Sequence, residues 1–339
     1  MNLSFDQIIG HDQQIKALRA AAKTGRVAHA YLFAGADGIG KRTCAFAFAA
    51  ALNCEQGGES ACGKCKSCRK IESGNHPDLA VIERDGNFIK IEQVRQVGRM
   101  AQSRPYEGRW RVFIFLDAEW MNPSAGNALL KTLEEPGSNM VLILVTSNPQ
   151  QLLPTVLSRC RRLNFNPLSV EQIESIILDR VNSDPQTAGL LARLSGGSIG
   201  WVMQADVEAI VERRRELLSD LADLDGSDEV AVASFADKLL ESSAGPDTTF
   251  ELVKIFLRDA AILAGGGKTD RVINQDILDR IQGFSARFSA QRLLSMGRSV
   301  GYAQRLLVRN VNKNLIAMSL ALELAHPAGA GFDSERMPR

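Results

Sequence analysis

The chain has 339 residues, 45% of them hydrophobic and 23% charged, ordinary proportions for a soluble globular protein that exclude disordered, collagen-like and low-complexity classes as its main state. At roughly 150 residues per domain the length implies about two domains, with three small ones also accommodated. Forty Lys and Arg against 39 Asp and Glu leave a formal net charge of +1, so any nucleic-acid role has to rest on local patches and not on a global field.

The N-terminus, MNLSFDQIIGHDQQ, carries an acidic residue and polar interruptions where a secretory signal would place basic residues and an apolar core, and a cytoplasmic protein is expected. Residues 12 to 24 set Ile15, Leu18 and the Ala20–Ala22 run at near-helical spacing. Gly25 then punctuates the chain before the strand-like HAYLFAG, His29–Gly35. Thr43–Leu52 is strongly helix-forming and shares the longest apolar stretch, the nine residues Cys44–Leu52, which is half of what a membrane span needs. No membrane is therefore expected among its partners.

Val112–Leu116 (VFIFL) and Met140–Thr146 (MVLILVT) are short apolar runs rich in β-branched residues and read as buried parallel strands. Between them Pro123 opens the helix SAGNALLKTLEEP, which stops at Pro136. Strands alternating with helices imply an α/β layer up to about Phe165. After Pro167 no strand candidate occurs up to Val207, and Ser195-Gly-Gly-Ser198 separates two helical patterns, as in a small helical domain. From Glu208 the pattern stays helical, with loops expected at Asp223–Asp228, Ser242–Thr248 and Gly265–Asp270 and a loose tail over Pro327–Arg339. There is no internal repeat of fixed period.

Gly35-Ala36-Asp37-Gly38-Ile39-Gly40-Lys41 lies between a strand and a helix, the setting in which backbone N–H groups and a helix N-terminus cradle phosphate and a lysine neutralises it. A Ser or Thr should follow to hold Mg²⁺, but Arg42 stands there and Thr43 comes one residue late. The strand Val112–Leu116 should end in a metal-positioning acid followed by a second acid, and the chain has Leu116-Asp117. Neither Arg42 nor Leu116 can donate an oxygen to Mg²⁺, so efficient ATP hydrolysis is not expected. A strand shifted by one residue would make Asp117 the metal acid and still leave Arg42 unexplained. Gly35, Gly38, Gly40, Lys41 and Thr43 thus outline a degenerate nucleotide site, with binding of ATP or ADP left open.

Four of the six cysteines, Cys54, Cys62, Cys65 and Cys68, fall within fifteen residues at spacings x7, x2 and x2 in a Gly- and Lys-containing loop. In a reducing compartment that pattern points to a metal site and not to disulfides. Structural Zn²⁺ fits four thiolate donors. An iron–sulfur run would continue C-x-x-x-C-P, whereas Cys68 is followed by Arg69-Lys70-Ile71-Glu72. A nucleic-acid module built on this loop, with Lys64, Lys66, Arg69 and Lys70 on phosphates, is the rival use. From Arg280 to Lys313 the chain carries seven Lys or Arg (280, 287, 292, 298, 305, 309, 313) with no Asp or Glu, a run suited to DNA, to an acidic partner or simply to solvated helix faces.

Phe5–Gly10, the glycine-rich loop, the four-cysteine insertion, Asn122–Pro136 (NPSAGNALLKTLEEP), Val145–Pro149 (VTSNP) and Ser158–Cys160 (SRC) occur in an order and spacing that resembles the bacterial DNA polymerase III clamp-loader subunits of the AAA+ class, over about residues 5 to 205. The resemblance implies an α/β AAA+ P-loop domain over 1–166, a parallel sheet with flanking helices and a zinc module at 54–68. It further implies a helical lid over 167–207 and an all-α collar domain over 208–326. Within that family the γ and τ motors keep an intact ATP site, whereas δ′-type members often carry a degraded one and keep the SRC arginine. Arg42 and Leu116 place the chain with the latter, and Gly200 stands where the family's sensor-2 arginine would follow Gly197-Ser198-Ile199.

The resemblance then implies that Arg159 works in trans, as an arginine finger in the ATP site of a neighbouring γ or τ subunit. Chemically, a guanidinium suits the charge that develops on a transferring phosphoryl group. The implied partners are γ or τ and δ subunits, with the sliding clamp and primed DNA met through the assembled complex. The chain would then be a component of the polymerase III holoenzyme with absent or very weak ATPase of its own. A γ-type ATP-hydrolysing motor is the alternative.

Overall fold

The structure, a computed structural model, describes residues 3–180, 184–241, 246–307 and 312–326. The tail expected at 327–339, part of the loop at 242–248 and Arg309 lie outside the described residues. The chain divides into two units, one of residues 1–179 with 195–203 and the other of residues 180–194 with 204–339. The segment read as a lid is shared between them.

In the first unit α1 (Asp12–Thr24), β1 (Ala30–Ala34), α2 (Lys41–Asn53), α3 (Lys66–Glu72), β2 (Leu79–Ile82), α4 (Ile91–Ala101), β3 (Arg111–Phe115), α5 (Pro123–Glu134), β4 (Met140–Thr146), α6 (Pro154–Leu157) and β5 (Arg161–Asn164) follow in chain order. The five strands form one parallel sheet in the order β2-β3-β4-β1-β5, with Ala30 beside Leu142, Arg111 beside Met140, Leu79 beside Val112 and Tyr31 beside Arg161. This is the parallel sheet with flanking helices that the sequence leads one to expect. The central strands read as unbroken apolar runs because both faces are covered.

Side chains alternate between those faces as a strand requires. Tyr31, Phe33, Val112, Ile114, Leu116, Val141 and Ile143 pack with Phe48 and Cys44 of α2, while Leu32, Phe113, Phe115, Leu142 and Leu144 pack with Val94 and Val97 of α4 and with Leu129 and Leu133 of α5. α2 is buried nearly all round. The expected helix and strand segments are present, with β1 shorter than expected, α2 longer, β3 shifted back by one residue and β4 as expected. β2 and α4 were not anticipated.

The second unit is helical throughout among the described residues. It holds α8 (Pro185–Leu194), α10 (Val207–Asp223), α11 (Glu229–Leu240), α12 (Pro246–Ala264), α13 (Leu278–Ser285), α14 (Ala290–Leu307) and α15 (Lys313–Ala325); α7 (Val170–Arg180) and α9 (Ile199–Gln204) lie mainly in the first unit. Asp206, Asp228 and Asn312 cap α10, α11 and α15 by accepting backbone N–H groups. Buried polar groups form one chain of bonds. Asp259 accepts from the Ile273 and Asn274 backbones and the Asn274 amide, Asn274 Oδ1 accepts from Arg214, and Arg214 grips Asp276 with two bonds of 2.7 and 2.6 Å.

Three of the seven residues of the basic run are bonded inside this unit. Arg280 pairs with Asp223, Arg287 donates to the carbonyls of Ala222 and Leu224 at the end of α10, and Arg292 pairs with buried Glu323 and donates to its carbonyl at the end of α15. Cations at helix C-termini oppose the partial negative charge there. Among the described residues no helix is long and apolar enough to cross a membrane.

In the first unit one buried acid orders a long loop. Asp78 accepts the backbone N–H groups of Tyr106, Glu107 and Gly108 at 2.6, 2.8 and 2.8 Å and an Arg111 Nη2 bond at 3.0 Å. Burial pushes its carboxyl up, but these donors outweigh burial and hold it below the ordinary aspartate range. With the folded value lowered, its stabilisation is complete above the ordinary aspartate pKa and is lost as pH falls through the lowered one. Asp78→Ala is expected to lower the unfolding free energy by about 3 kcal/mol at neutral pH, with the gap from wild type narrowing in acid, as read from urea unfolding at both pH values.

Candidate functional site

The glycine-rich loop leaves β1 and enters α2 with Gly38 and Gly40 at φ +72° and +104°, left-handed conformations that favour glycine. Lys41 is 5% exposed and turned back on the loop that carries it. Its Nζ donates to the carbonyls of Gly35 and Ala36 at 2.6 and 2.5 Å, with Asp37 at 3.6 Å. Burial pushes the ammonium below the ordinary lysine range, against the pull of Asp37, Glu119 and Asp117. His11 Nε2 donates to the Ile39 carbonyl at 2.7 Å.

The start of α9 closes on the same loop. Gly200 N–H donates to the Gly38 carbonyl at 2.8 Å. A Cβ on Gly38 would fall 2.1 Å from Ser198 Oγ, and one on Gly200 would fall 2.8 Å from Gly38 Cα. Two glycines thus permit direct backbone contact at the position where an arginine would need room for its side chain.

The Mg²⁺-positioning places hold other chemistry. Arg42 is exposed, 3.3 Å from Glu83 and over the Phe46 ring, and Thr43 is exposed beside it. Leu116 is buried in the core on the α2 side. Asp117 takes φ +51°, lies 3.5 Å from Arg84 and titrates above the ordinary aspartate range because of burial, with Glu119 and Asp37 adding to the effect. Glu119 was not singled out in the sequence. Its Oε1 accepts from Ser147 N–H and Oγ at 2.9 and 2.5 Å, joining the end of β3 to the VTSNP turn after β4, and its buried Oε2 has no protein partner. Only its spacing of two from Asp117 could have drawn notice.

Cys54, Cys62, Cys65 and Cys68 come together with all four Sγ atoms within 4.8 Å of one another, Cys54 and Cys68 buried and the other two half-buried. Cys62 Sγ accepts the N–H groups of Lys64 and Cys65, and Cys65 Sγ accepts that of Cys68, each at 3.4 Å. The Lys64 N–H is the chief reason that the Cys62 thiol is lowered to about 6, while burial raises Cys54 and Cys68. Four sulfurs so placed could hold one metal ion, and with every donor from the chain the site would be closed and structural. Lys70, in the last turn of α3, pairs with Glu107 at 2.6 Å.

The SRC segment follows the single turn of α6. Arg159 Nη1 donates to the Thr155 carbonyl at 3.0 Å, Nη2 lies 2.8 Å from Glu134 Oε1 at the end of α5, and 37% of the side chain remains exposed. It makes no contact with the chain's own glycine-rich loop among the bonds and ion pairs of the described residues.

Residues 10–169 match the family described as "DNA polymerase III, delta subunit", and residues 209–326 match "DNA polymerase III, delta subunit, C terminal". The chain is 29% identical over 313 residues to DNA polymerase III subunit delta′ of Bacillus subtilis, covering 91% of this chain and 94% of that one. It is 38% identical over 203 residues to subunit delta′ of Pseudomonas aeruginosa, covering 58% of this chain and 61% of that one. Against subunit tau of Escherichia coli it is 36% identical over 213 residues, 61% of this chain but 33% of that longer protein.

Proposed function

We propose that this chain, which belongs to the DNA polymerase III clamp-loader subunits and is of the δ′ type, serves in that complex as a non-hydrolysing member that completes a neighbour's ATP site with Arg159. The observation that carries the reading is the contrast between two cations: Lys41 is buried against its own loop, while Arg159 keeps an exposed guanidinium. The partners would be γ or τ and δ subunits, the complex would open the sliding clamp and place it on primed DNA, and the compartment would be the cytoplasm.

The chain's own nucleotide site is proposed to be idle. Arg42 and Leu116 supply no oxygen for Mg²⁺, and Gly200 occupies the loop where a lid arginine would reach a phosphate. A γ-type motor would need those groups. In a neighbour's site, by contrast, the Arg159 guanidinium offers planar, permanently charged donors to phosphoryl oxygens whose charge grows in the transition state.

The four cysteines are proposed to hold Zn²⁺. Metal–sulfur distances of about 2.3 Å in a tetrahedron need sulfurs about 3.8 Å apart, close to the 4.0 Å between Cys62 and Cys68. The ion would staple the loop after α2, from which Cys54 offers its carbonyl to Arg109 at 2.8 Å.

Purified protein is expected to contain about one Zn²⁺ per chain; metal analysis returning iron, or no metal in protein kept reduced, would overturn the assignment. The isolated chain should hydrolyse ATP no faster than background, and turnover that disappears in Lys41→Ala would show a competent site instead. Arg159→Ala should leave the subunit folded and assembled but lower the DNA- and clamp-stimulated ATPase of the reconstituted complex. A finger supplied in trans is worth about 10³ to 10⁵ in rate at its own site, and a complex with several sites will lose less in bulk. Unchanged turnover in a fully assembled Arg159→Ala complex would remove the arginine-finger reading.

A further inference from the structure

We infer that Glu134 is a positioning residue for Arg159, an inference that rests on the arginine-finger reading and extends it to a second side chain. Three observations carry it. The first is contact: Glu134 Oε1 lies 2.8 Å from Arg159 Nη2, while Nη1 is held by the Thr155 carbonyl at 3.0 Å. The guanidinium is thereby fixed from two sides. Since it carries five N–H donors, these partners leave others for a phosphoryl oxygen.

The second is the electrostatics of the place where Glu134 stands. It is the last residue of α5, where the helix presents unsatisfied carbonyls and a partial negative charge, so a carboxylate there is disfavoured by the helix itself. Glu135 adds a second acid at the cap. Lys131 is the only cation in that last turn. A cation from another element relieves the end of α5, and Arg159 is that cation.

The third is rigidity. A Cβ on Gly126 of α5 would fall 2.9 Å from Leu153 Cδ1, so α5 and the segment leading into SRC pack without a gap. Within that body Asn122 caps α5 by accepting the Ala125 N–H at 2.8 Å. The anchor and the arginine it holds therefore share one support.

The pair is half-exposed in the free subunit, where such an ion pair adds little to folding. Its value arises when a neighbouring subunit covers it: with water excluded, the Coulomb attraction grows and a long side chain that would otherwise sample several rotamers is held in one. Loss of Glu134 should thus be felt in turnover and not in stability.

The test uses complexes reconstituted with γ- or τ-type and δ-type partners and this chain as wild type, Glu134→Gln, Arg159→Ala, the double variant, or Glu135→Gln as the control for loss of a nearby acid. Clamp- and DNA-stimulated ATPase is measured against ATP concentration, with assembly checked by size and the unfolding midpoint of each chain recorded. Glu134→Gln is expected to lower kcat about three- to tenfold at unchanged KM and unchanged midpoint, with the double variant no slower than Arg159→Ala alone. Glu135→Gln should match wild type. If Arg159→Ala has no effect, the arginine-finger reading falls. If Arg159→Ala is impaired but Glu134→Gln turns over like wild type, adds its loss to that of Arg159→Ala, or is matched by Glu135→Gln, Glu134 does not position the arginine.

Discussion

A buried ammonium must have acceptors, and Lys41 finds them in the carbonyls of Gly35 and Ala36 at 2.6 and 2.5 Å. The constraint propagates through the glycine-rich loop. Three further carbonyls of the loop are also claimed, that of Gly38 by Gly200, that of Ile39 by His11 and that of Gly40 by the Cys44 N–H. The loop is held by these bonds within the chain. β1, α2 and the core behind them need that turn, which has the geometry of a phosphate cradle.

The cysteine cluster answers a different constraint. The loop between α2 and α3 contributes little apolar surface, so its order must come from bonds. Asn53 exchanges two hydrogen bonds with Trp110, Arg109 reaches the Cys54 carbonyl, and Ser67 meets His76 at 3.1 Å while His76 Nδ1 accepts the Asp78 N–H. Asp78 in turn gathers the 106–108 backbone. The four-cysteine cluster at one end and a buried carboxylate at the other flank the loop on which Tyr106 is 82% exposed.

Much of this fold could be read from residue order. The strands β1, β3 and β4 announce themselves as apolar runs because both sheet faces are covered, and α5 because Pro123 and Pro136 bracket it. β2 escaped because it is a four-residue edge strand with a mixed pattern, and α4 because its helical face rests on few apolar positions, chiefly Val94 and Val97. The cysteines and the glycine-rich loop were legible as motifs, since spacing alone identifies them. Glu119, Glu134 and Asp78 were not, since nothing in their neighbours along the chain distinguishes an acid that will be buried against Ser147 or paired with Arg159 from one that faces water. The SRC arginine was legible only through family resemblance, and its surroundings only in three dimensions.

The cations of this chain illustrate why charge counted along a sequence says little about partners. Arg287 and Arg292 belong to a run with no acid in it, yet the carbonyls at the ends of α10 and α15 absorb them, and a carboxylate far away in sequence, Glu323, completes the second. Lys41 carries the same charge within a phosphate-shaped loop and is absorbed by carbonyls too. Arg159 differs in the mixture around it: one carbonyl, one half-exposed carboxylate and open solvent. What a cation can offer to another molecule is set by how many of its donors the fold has already taken. Carbonyl acceptors in a buried setting satisfy a cation's donors, whereas a solvated carboxylate orients a guanidinium and leaves donors over for a stronger anion. In Arg159 a fixed direction and unspent donors coincide, and this separates it from Arg287 and Arg292, whose donors go to carbonyls and a carboxylate of their own unit.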